Sequence, residues 1–338
     1  MRTPTRVKLV ALAALLVIAA NAPDYAAPAE ADRSGEARSS RPYDHIFVIV
    51  EENTEYADAI GNTAQLPTLN MLASANGLAT NYFGTTHPSE GNYVSLVGGD
   101  DYDIRDDDAY QTHQLAQPSI VDQLERAGLS WRGYFQNLPV AGYPGECFPS
   151  TSTCLYASKH NGFVNFAHVS MNQAEMAKLV PDTSLATDLA TGNVPNFAFI
   201  APDQCHDGHG LEVCHEPLLS HSTDAYLKTT VDLIMRADVW RQRRSAIVVT
   251  FDEGDSNLGC CDGADDPTTS GGGRVATVVI RSRDPRPIRD DTPYNHHSLV
   301  ATLQAALGLG CTFDGQPVGD TCDRQAGVQP MARLFDLR

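Results

Sequence analysis

Short runs of consecutive apolar residues alternate with longer stretches of mixed character along most of the chain. His45–Val50, Asn196–Ile200, Ser245–Phe251 and Arg274–Ile280 are apolar runs of strand length, the pattern of strands covered on both faces. Trp131–Phe135 reads as a further strand. Pro67–Ala79, with Leu69, Leu72 and Leu78 among small residues, predicts a helix, and Ile120–Ala127 predicts a second one ended by Gly128. Thr223–Ala237 is amphipathic through Tyr226, Leu227, Val231, Leu233 and Ile234, and Ser298–Leu307 reads as a last helix. Strands alternating with helices predict an α/β fold around a largely parallel sheet flanked by helices. No internal repeat and no linker-like stretch divides residues 43–338, so one domain is expected there.

Polar clusters recur at one kind of place in this layout. Glu51, Glu52 and Asn53 follow the first strand, Asp203 to His209 follow the Asn196–Ile200 strand, and Asp252-Glu253 follow the Ser245–Phe251 strand. Ligands of open α/β sheets bind beyond the carboxyl ends of strands, so three such clusters predict one composite site.

The first residues change the picture of where the protein works. Arg2, Arg6 and Lys8 precede the apolar run Leu9–Ala20, which is short for a bilayer span and is followed by small residues through Ala29. This pattern predicts an export signal over residues 1–29, with an uncleaved anchor as the alternative, then a disordered tether over 30–42 and a secreted protein. No later segment is apolar and long enough to cross a membrane. The eight cysteines fit an oxidising destination. They stand as near neighbours: Cys147 with Cys154, Cys205 with Cys214, Cys260 with Cys261, and Cys311 with Cys322. Local bridges are the simplest pairing, though sequence leaves the pairing open. No Cys-x-x-Cys pair with a matching His partner appears, which argues against a zinc-thiolate site. The formal charge of −18 repels polyanions and excludes general nucleic-acid binding. A small anionic substrate remains compatible, because a metal or local cations can reverse the potential within one pocket.

Glu52, Asn53, Asp252 and Glu253 offer carboxylate and amide oxygens, hard ligands suited to one divalent ion such as Mg²⁺, Ca²⁺ or Mn²⁺. Gly84–Tyr93 carries Thr85 and Thr86 ahead of His87-Pro88 on a turn-like stretch, placing hydroxyls where a metal could activate one. His206, Asp207 and His209 crowd two imidazoles and a carboxylate into four residues, and imidazole is the side chain best suited to proton transfer near neutral pH. His296-His297 stands at the start of the last helix, where an imidazole could contact a phosphoryl oxygen or protonate a leaving group. Lys159-His160, close to Tyr156, Phe163 and Phe166, could neutralise a substrate phosphate.

Taken in order, these pieces resemble the phosphoesterase family of acid phosphatases and non-specific phospholipases C, within the alkaline-phosphatase superfamily. The resemblance rests on Val48–Asn53, Thr86–Tyr93, Tyr156–Asn161, Asp203–His209, Thr250–Glu253, Asn295-His296 and Ser298–Gly310, covering roughly residues 43 to 312. It is strongest to short secreted bacterial acid phosphatases, including those acting on phosphoinositide phosphates. The resemblance implies an alkaline-phosphatase-like fold and Glu52, Asn53, Asp252 and Glu253 as metal ligands. It implies Thr86 as the nucleophile, being the hydroxyl residue immediately before an x-Pro pair, with Thr85 and Ser89 in reserve. It further implies that His160, His209 and His296 contact phosphate or transfer protons, that Asp207 orients the pocket, and that Asn92 binds a phosphate oxygen. His206 and Lys159 complete the expected substrate contacts.

The mechanism so implied is a two-step displacement through a phosphothreonine on phosphomonoesters, with phosphoinositides and other phospholipids among the candidate substrates. Cationic histidines would then favour an acidic optimum. The rival enzymatic reading is a phospholipase C-type phosphodiesterase, and the non-enzymatic one a secreted binder of phosphorylated ligands. No Cys or Ser stands in a Cys/Ser-x-Pro-x-Arg setting, which argues against a sulfatase.

Overall fold

The computed structural model describes residues 41–215, 219–257, 271–323 and 327–337, together with Met1. The expected export signal, nearly all of the tether and the Cys260-Cys261 pair lie outside the described residues. Strands β1 (His45–Glu51), β2 (Gly77–Phe83) and β3 (Trp131–Phe135) come first. The short pair β4 (Cys147–Phe148) and β5 (Tyr156–Ala157) forms a separate antiparallel ribbon. Next along the chain come β6 (Leu179–Pro181), β7 (Phe197–Ala201), β8 (Ser245–Phe251), β9 (Arg274–Arg281), β10 (Ile288–Asp290) and β11 (Tyr294–Asn295).

Nine strands make the main sheet, in the order β10-β2-β9-β8-β1-β7-β3-β6, with β11 continuing beside β2. β1 pairs in parallel with β7 and β8, β3 with β6 and β7, and β2 with β10 and β11. Among the described strands of this sheet only β9 runs against its neighbours, β2 and β8. Every residue of β8 is buried, as is β1 from Ile46 onward, because helices cover both faces; this is why both read as unbroken apolar runs. The helix Pro67–Ala75 packs on the helix Leu219–Arg236, and the helix Ser89–Gly98 on the helix His296–Leu307.

Two local expectations are corrected. The helix expected over Pro67–Ala79 stops at Ala75, and strand β2 takes over at Gly77. Asn76 leaves helical geometry and its side-chain amide donates to the Leu72 carbonyl, closing the helix. Gly77–Phe83 is held as a strand by pairing with β9 and β10, tertiary contacts that outweigh its modest strand propensity. The stretch after Pro88, expected to be a turn, opens a ten-residue helix, Ser89–Gly98. All of its residues are buried, so it carries no polar face and leaves no amphipathic period to detect. Gly99 ends it in the left-handed region, at φ 73°.

Disulfides join Cys147 to Cys154, Cys205 to Cys214, and Cys311 to Cys322, as local pairing suggested. No helix among the described residues is long and apolar enough to cross a membrane.

Candidate active site

Strand register assembles the site. Glu51 of β1 lies opposite Phe251 of β8, and the ladder continues as the Asp252 N–H donates to the Glu51 carbonyl at 2.9 Å. Glu52 and Asp252 therefore leave the sheet side by side. The Asn53 and Glu253 backbone N–H groups both donate to Asp252 Oδ1, at 3.2 and 2.7 Å. Beyond the neighbouring strand β7, the Glu52 N–H donates to the Asp207 carbonyl at 2.7 Å, which ties the Asp203–His209 loop to the same spot. From the end of β2 the chain runs through Gly84–Pro88 into the buried helix beginning at Ser89. Gly91 permits the close approach of this helix to that loop, since a Cβ there would sit 2.5 Å from Thr86 Cγ2.

The hydroxyl that reaches the carboxylates is that of Ser89. Its Oγ lies 3.2 Å from Glu52 Oε2 and 3.4 Å from Glu253 Oε1. The Thr86 hydroxyl instead donates to the His87 carbonyl at 3.1 Å, turned back on its own loop. Thr85 Oγ1 is engaged with Asn92 and Ser95. Asn92, expected on a phosphate oxygen, is wholly occupied by the protein. Its Oδ1 accepts from the Thr85 and Thr86 N–H groups, and its Nδ2 donates to the Thr86 carbonyl and to Glu253 Oε2. It pins the loop to the helix and to Glu253. The His87 side chain, for which no role was expected, also approaches Glu253 Oε2, at 2.7 Å from Nδ1. Burial pulls the His87 pKa down, but the Glu253 carboxylate outweighs it and the net shift is upward.

Electrostatically the site is a concentration of buried negative charge. Glu51, Glu52, Asp207 and Asp252 are wholly buried, and Glu253 is only 3 % exposed. Burial, with the Glu52 and Glu253 charges added, pushes the Asp252 carboxyl well above the usual range. Burial then Glu52 does the same to Asp207. Glu52 is raised to about 7 by burial, with Lys159 working against the shift and Glu253 for it. Glu51, whose side chain leaves the opposite face of the strand, is also pushed well up, by burial and then Asp207. Carboxylates packed this way are held either by protons or by a cation.

The donor atoms present fit a cation. Glu52 Oε1, Asn53 Oδ1 and Asp252 Oδ2 are buried without a hydrogen-bond partner. All three are oxygens, the donor type hard divalent ions take, and among the described residues Glu52, His160 and Asp207 offer ligand atoms within 4.8 Å of one another. Asn53 Nδ2 lies 3.4 Å from Glu253 Oε1, which turns the amide oxygen outward from that pair. Both Glu253 oxygens already accept hydrogen bonds, so Glu253 braces the set from beside it. Lys159 Nζ donates to Asp107 at 2.8 Å. Burial alone would lower the Lys159 pKa, but Glu52 and Asp107 reverse that and raise it, so its charge is fixed beside the pocket.

The histidines divide in a way the sequence did not show. His160 is 3 % exposed and lies between Glu52 and Asp207, so two carboxylates face it where a phosphate was expected. Burial drives its pKa well below the ordinary value. His296 is wholly buried behind the site. Its Nε2 meets the Asp252 carbonyl at 2.5 Å and its Nδ1 meets the Tyr82 hydroxyl at 3.1 Å. A carbonyl can only accept, which assigns the proton to Nε2 and makes Nδ1 the acceptor. Burial lowers its pKa to about 3. Neutral and engaged at both nitrogens, it positions Asp252 and is unavailable as a proton donor, and the expected acidic optimum finds no support in cationic His160 or His296. His206 pairs with Asp203 at 2.6 Å and has Tyr226 close to its ring. His209 is exposed at the rim, its ring 6.3 Å from that of His160, with Nδ1 on the Gly210 carbonyl at 2.9 Å and Nε2 as its other proton site. His296→Gln is expected to lower kcat by about tenfold to a hundredfold without moving either limb of the pH–rate profile; initial rates across pH 4 to 9 check this, and a displaced limb would restore His296 as a titrating group.

The largely parallel sheet flanked by helices is an alkaline-phosphatase-like fold. The structure superposes on an alkaline phosphatase superfamily protein from Vibrio parahaemolyticus with a TM-score of 0.53 at 13% identity, covering 79% of this chain and 67% of that one. It also superposes on the lipoteichoic acid synthase LtaP from Listeria monocytogenes, with a TM-score of 0.55 at 12% identity over 83% and 75% of the two chains. The model of the phosphoesterase family matches residues 62–310, and the chain belongs to that family. It is 29% identical over 272 residues to a probable acid phosphatase of Kluyveromyces lactis, covering 79% of this chain and 59% of that protein. It is 28% identical over 272 residues to an acid phosphatase of Aspergillus fumigatus, covering 79% and 55%. The chain thus spans little more than half the length of these two relatives. A phosphatidylinositol-3-phosphatase of Mycobacterium tuberculosis is 27% identical over 291 residues and is matched over 85% of both chains.

Proposed function

We propose that this protein is a secreted, metal-dependent phosphatase acting on phosphomonoesters, with Ser89 in place of Thr86 as the nucleophile. The observation that carries the reading is the position of Ser89 Oγ, 3.2 Å from Glu52 and 3.4 Å from Glu253, at the first residue of a buried helix. The helix N-terminus favours negative charge on that oxygen. Its proton has an acceptor in Glu52 Oε2. A divalent cation bound by Glu52, Asn53 and Asp252 would supply positive charge for the serine alkoxide and for the non-bridging phosphoryl oxygens. Ser89 gives its proton to Glu52 Oε2 and attacks phosphorus as the bond to the leaving oxygen breaks, and His209, entering the step with a proton on each ring nitrogen, delivers the Nε2 proton to the departing alcohol. Water then attacks phosphorus as the bond to Ser89 Oγ breaks, giving one proton to His209 Nε2, while Glu52 returns its proton to the serine and inorganic phosphate leaves. Lys159, charged beside the pocket, assists with the substrate's negative charge.

Secretion is supported by the disulfides and by the export-type pattern of the first residues. The Mycobacterium tuberculosis relative, matched along most of both chains, supports phosphoinositide monophosphates as candidate substrates. The test compares hydrolysis of p-nitrophenyl phosphate and phosphatidylinositol 3-phosphate with that of phosphatidylcholine. Monoester turnover at least about a hundredfold above diester turnover is expected; faster cleavage of phosphatidylcholine would favour a phospholipase C instead. No turnover of any of the three by metal-replete protein would leave the ligand-binding alternative.

A further inference from the structure

The two oxygens of the Asp107 carboxylate hold two different parts of the catalytic edge. Oδ1 accepts from the Glu90 backbone N–H at 3.1 Å, in the first turn of the helix that carries Ser89. Oδ2 accepts from Lys159 Nζ at 2.8 Å. Backbone N–H groups in a first turn have no partner within their own helix, and Pro88, at the cap position, makes no side-chain capping bond. Asp107 takes that part from 17 residues along the chain, and its charge suits the positive end of the helix.

The neighbouring Asp106 reaches the same turn by another route. Its Oδ1 lies 3.2 Å from His113 Nε2, and His113 Nδ1 lies 3.0 Å from Glu90 Oε1. The Asn165 amide donates to that same glutamate oxygen at 2.5 Å. Backbone and side chain of Glu90 are both tied, so the Asp107 loop and the helix start move as one piece. Lys159, by contrast, is a point charge on a flexible four-carbon stem. Its ammonium lies close to strong competitors, since Glu52 and Asp252 act on its charge along with Asp107. With Asp107, Ser158 and Gln204 it lines a cleft of about 150 Å³, so the cation is open to a ligand.

We propose that Asp107 is a positioning residue: it ties the Lys159 ammonium to the first turn of the Ser89 helix, so that cation and nucleophile meet one phosphoryl group in fixed relation. The inference rests on the phosphatase reading above. Without the tie the ammonium swings toward Glu52 and Asp252 and is lost to the substrate. Asparagine at 107 separates the two bonds. Its Oδ1 still accepts from the Glu90 N–H, but its Nδ2 turns a donor toward the ammonium and cannot hold it. Alanine removes both.

The experiment measures steady-state hydrolysis of p-nitrophenyl phosphate and calorimetric binding of inorganic phosphate, on the full metal-replete chain, with circular dichroism to confirm folding. Asp107→Asn is expected to raise KM and the phosphate Kd about tenfold with kcat changed by about threefold or less, because Lys159 meets the phosphoryl oxygens in ground and transition states alike. Asp107→Ala is expected to lower kcat about tenfold as well, through the loosened helix start. Since Asp107 acts through Lys159, adding Asp107→Asn to Lys159→Met should move KM and Kd no further. Asp107→Ser replaces Asp107→Asn if the asparagine variant fails to fold. Full additivity with Lys159→Met, or a lower kcat and thermal midpoint with KM and Kd unmoved, overturns the proposal. Phosphate binding needs no turnover: an inactive intact protein in which the Kd effects still merge removes the phosphatase reading and upholds the tie. An intact protein that neither turns over the ester nor binds phosphate overturns both.

Discussion

Ser89→Ala is expected to lower kcat by on the order of 10⁴-fold while metal content and fold are retained. The residue loses one oxygen atom, but that oxygen is the hydroxyl within reach of both Glu52 and Glu253. Thr86→Ala is expected to cost about tenfold or less, since the Thr86 hydroxyl bonds only the adjacent His87 carbonyl. The loop should hold its place, because the Asn92 bonds to the Thr85 and Thr86 backbone survive. Acid-quenching the enzyme during turnover of a ³²P-labelled monoester, then mapping the labelled peptide, separates the two directly. Label on residue 89 supports the assignment; label on Thr86, or a Ser89→Ala enzyme of nearly intact rate, would sink it.

Removing divalent ions is expected to take activity to about 1% or less and to change how stability depends on pH. In the cation-free fold Glu52 carries a raised pKa of about 7, against an ordinary value of 4.5. The folded state therefore keeps a proton that the unfolded chain gives up across this window. Stability from this group is fully present below about pH 4.5 and is lost as pH rises toward 7. Asp252 and Asp207, raised by burial and then by Glu52, push in the same direction. A bound cation replaces those protons, so its stabilisation grows with pH as competition from protons fades. Thermal midpoints taken with and without Ca²⁺ or Mn²⁺ should diverge from pH 5 to pH 8. Parallel curves would mean that the carboxylates hold no ion.

Much of this was legible from the chain itself. Continuous apolar runs mark strands buried on both faces, and polar residues directly after them must stand at the sheet's edge, which located Glu52, Asn53, Asp252 and Glu253. The hidden parts depend on contacts between distant segments. Helix Ser89–Gly98 is buried all round, so its phase could not be read, nor could the approach of the Ser89 hydroxyl to Glu52. A signal was present: Pro88 followed by Ser89 and Glu90 matches a helix start with an acidic first turn. The role of His296 depends on packing that brings its ring against the Asp252 carbonyl, which no local pattern encodes. The closure of Glu52, His160 and Asp207 likewise joins three segments far apart in the chain.

The reversed strand β9 has an effect on how such a protein can diversify. Each parallel crossover leaves the carboxyl end of one strand and returns to the amino end of the next, at the far edge. The β8-to-β9 connection alone turns back at the edge where Asp252 and Glu253 sit, anchored by Gly254 N–H to Gly272 carbonyl at 2.8 Å and Gly84 N–H to Gly273 carbonyl at 3.0 Å. Insertions or deletions between those anchors would leave strand register untouched, at a closure cost that grows only slowly with length. Evolution, or an engineer, can therefore change the length of that connection while the carboxylate frame stays constant.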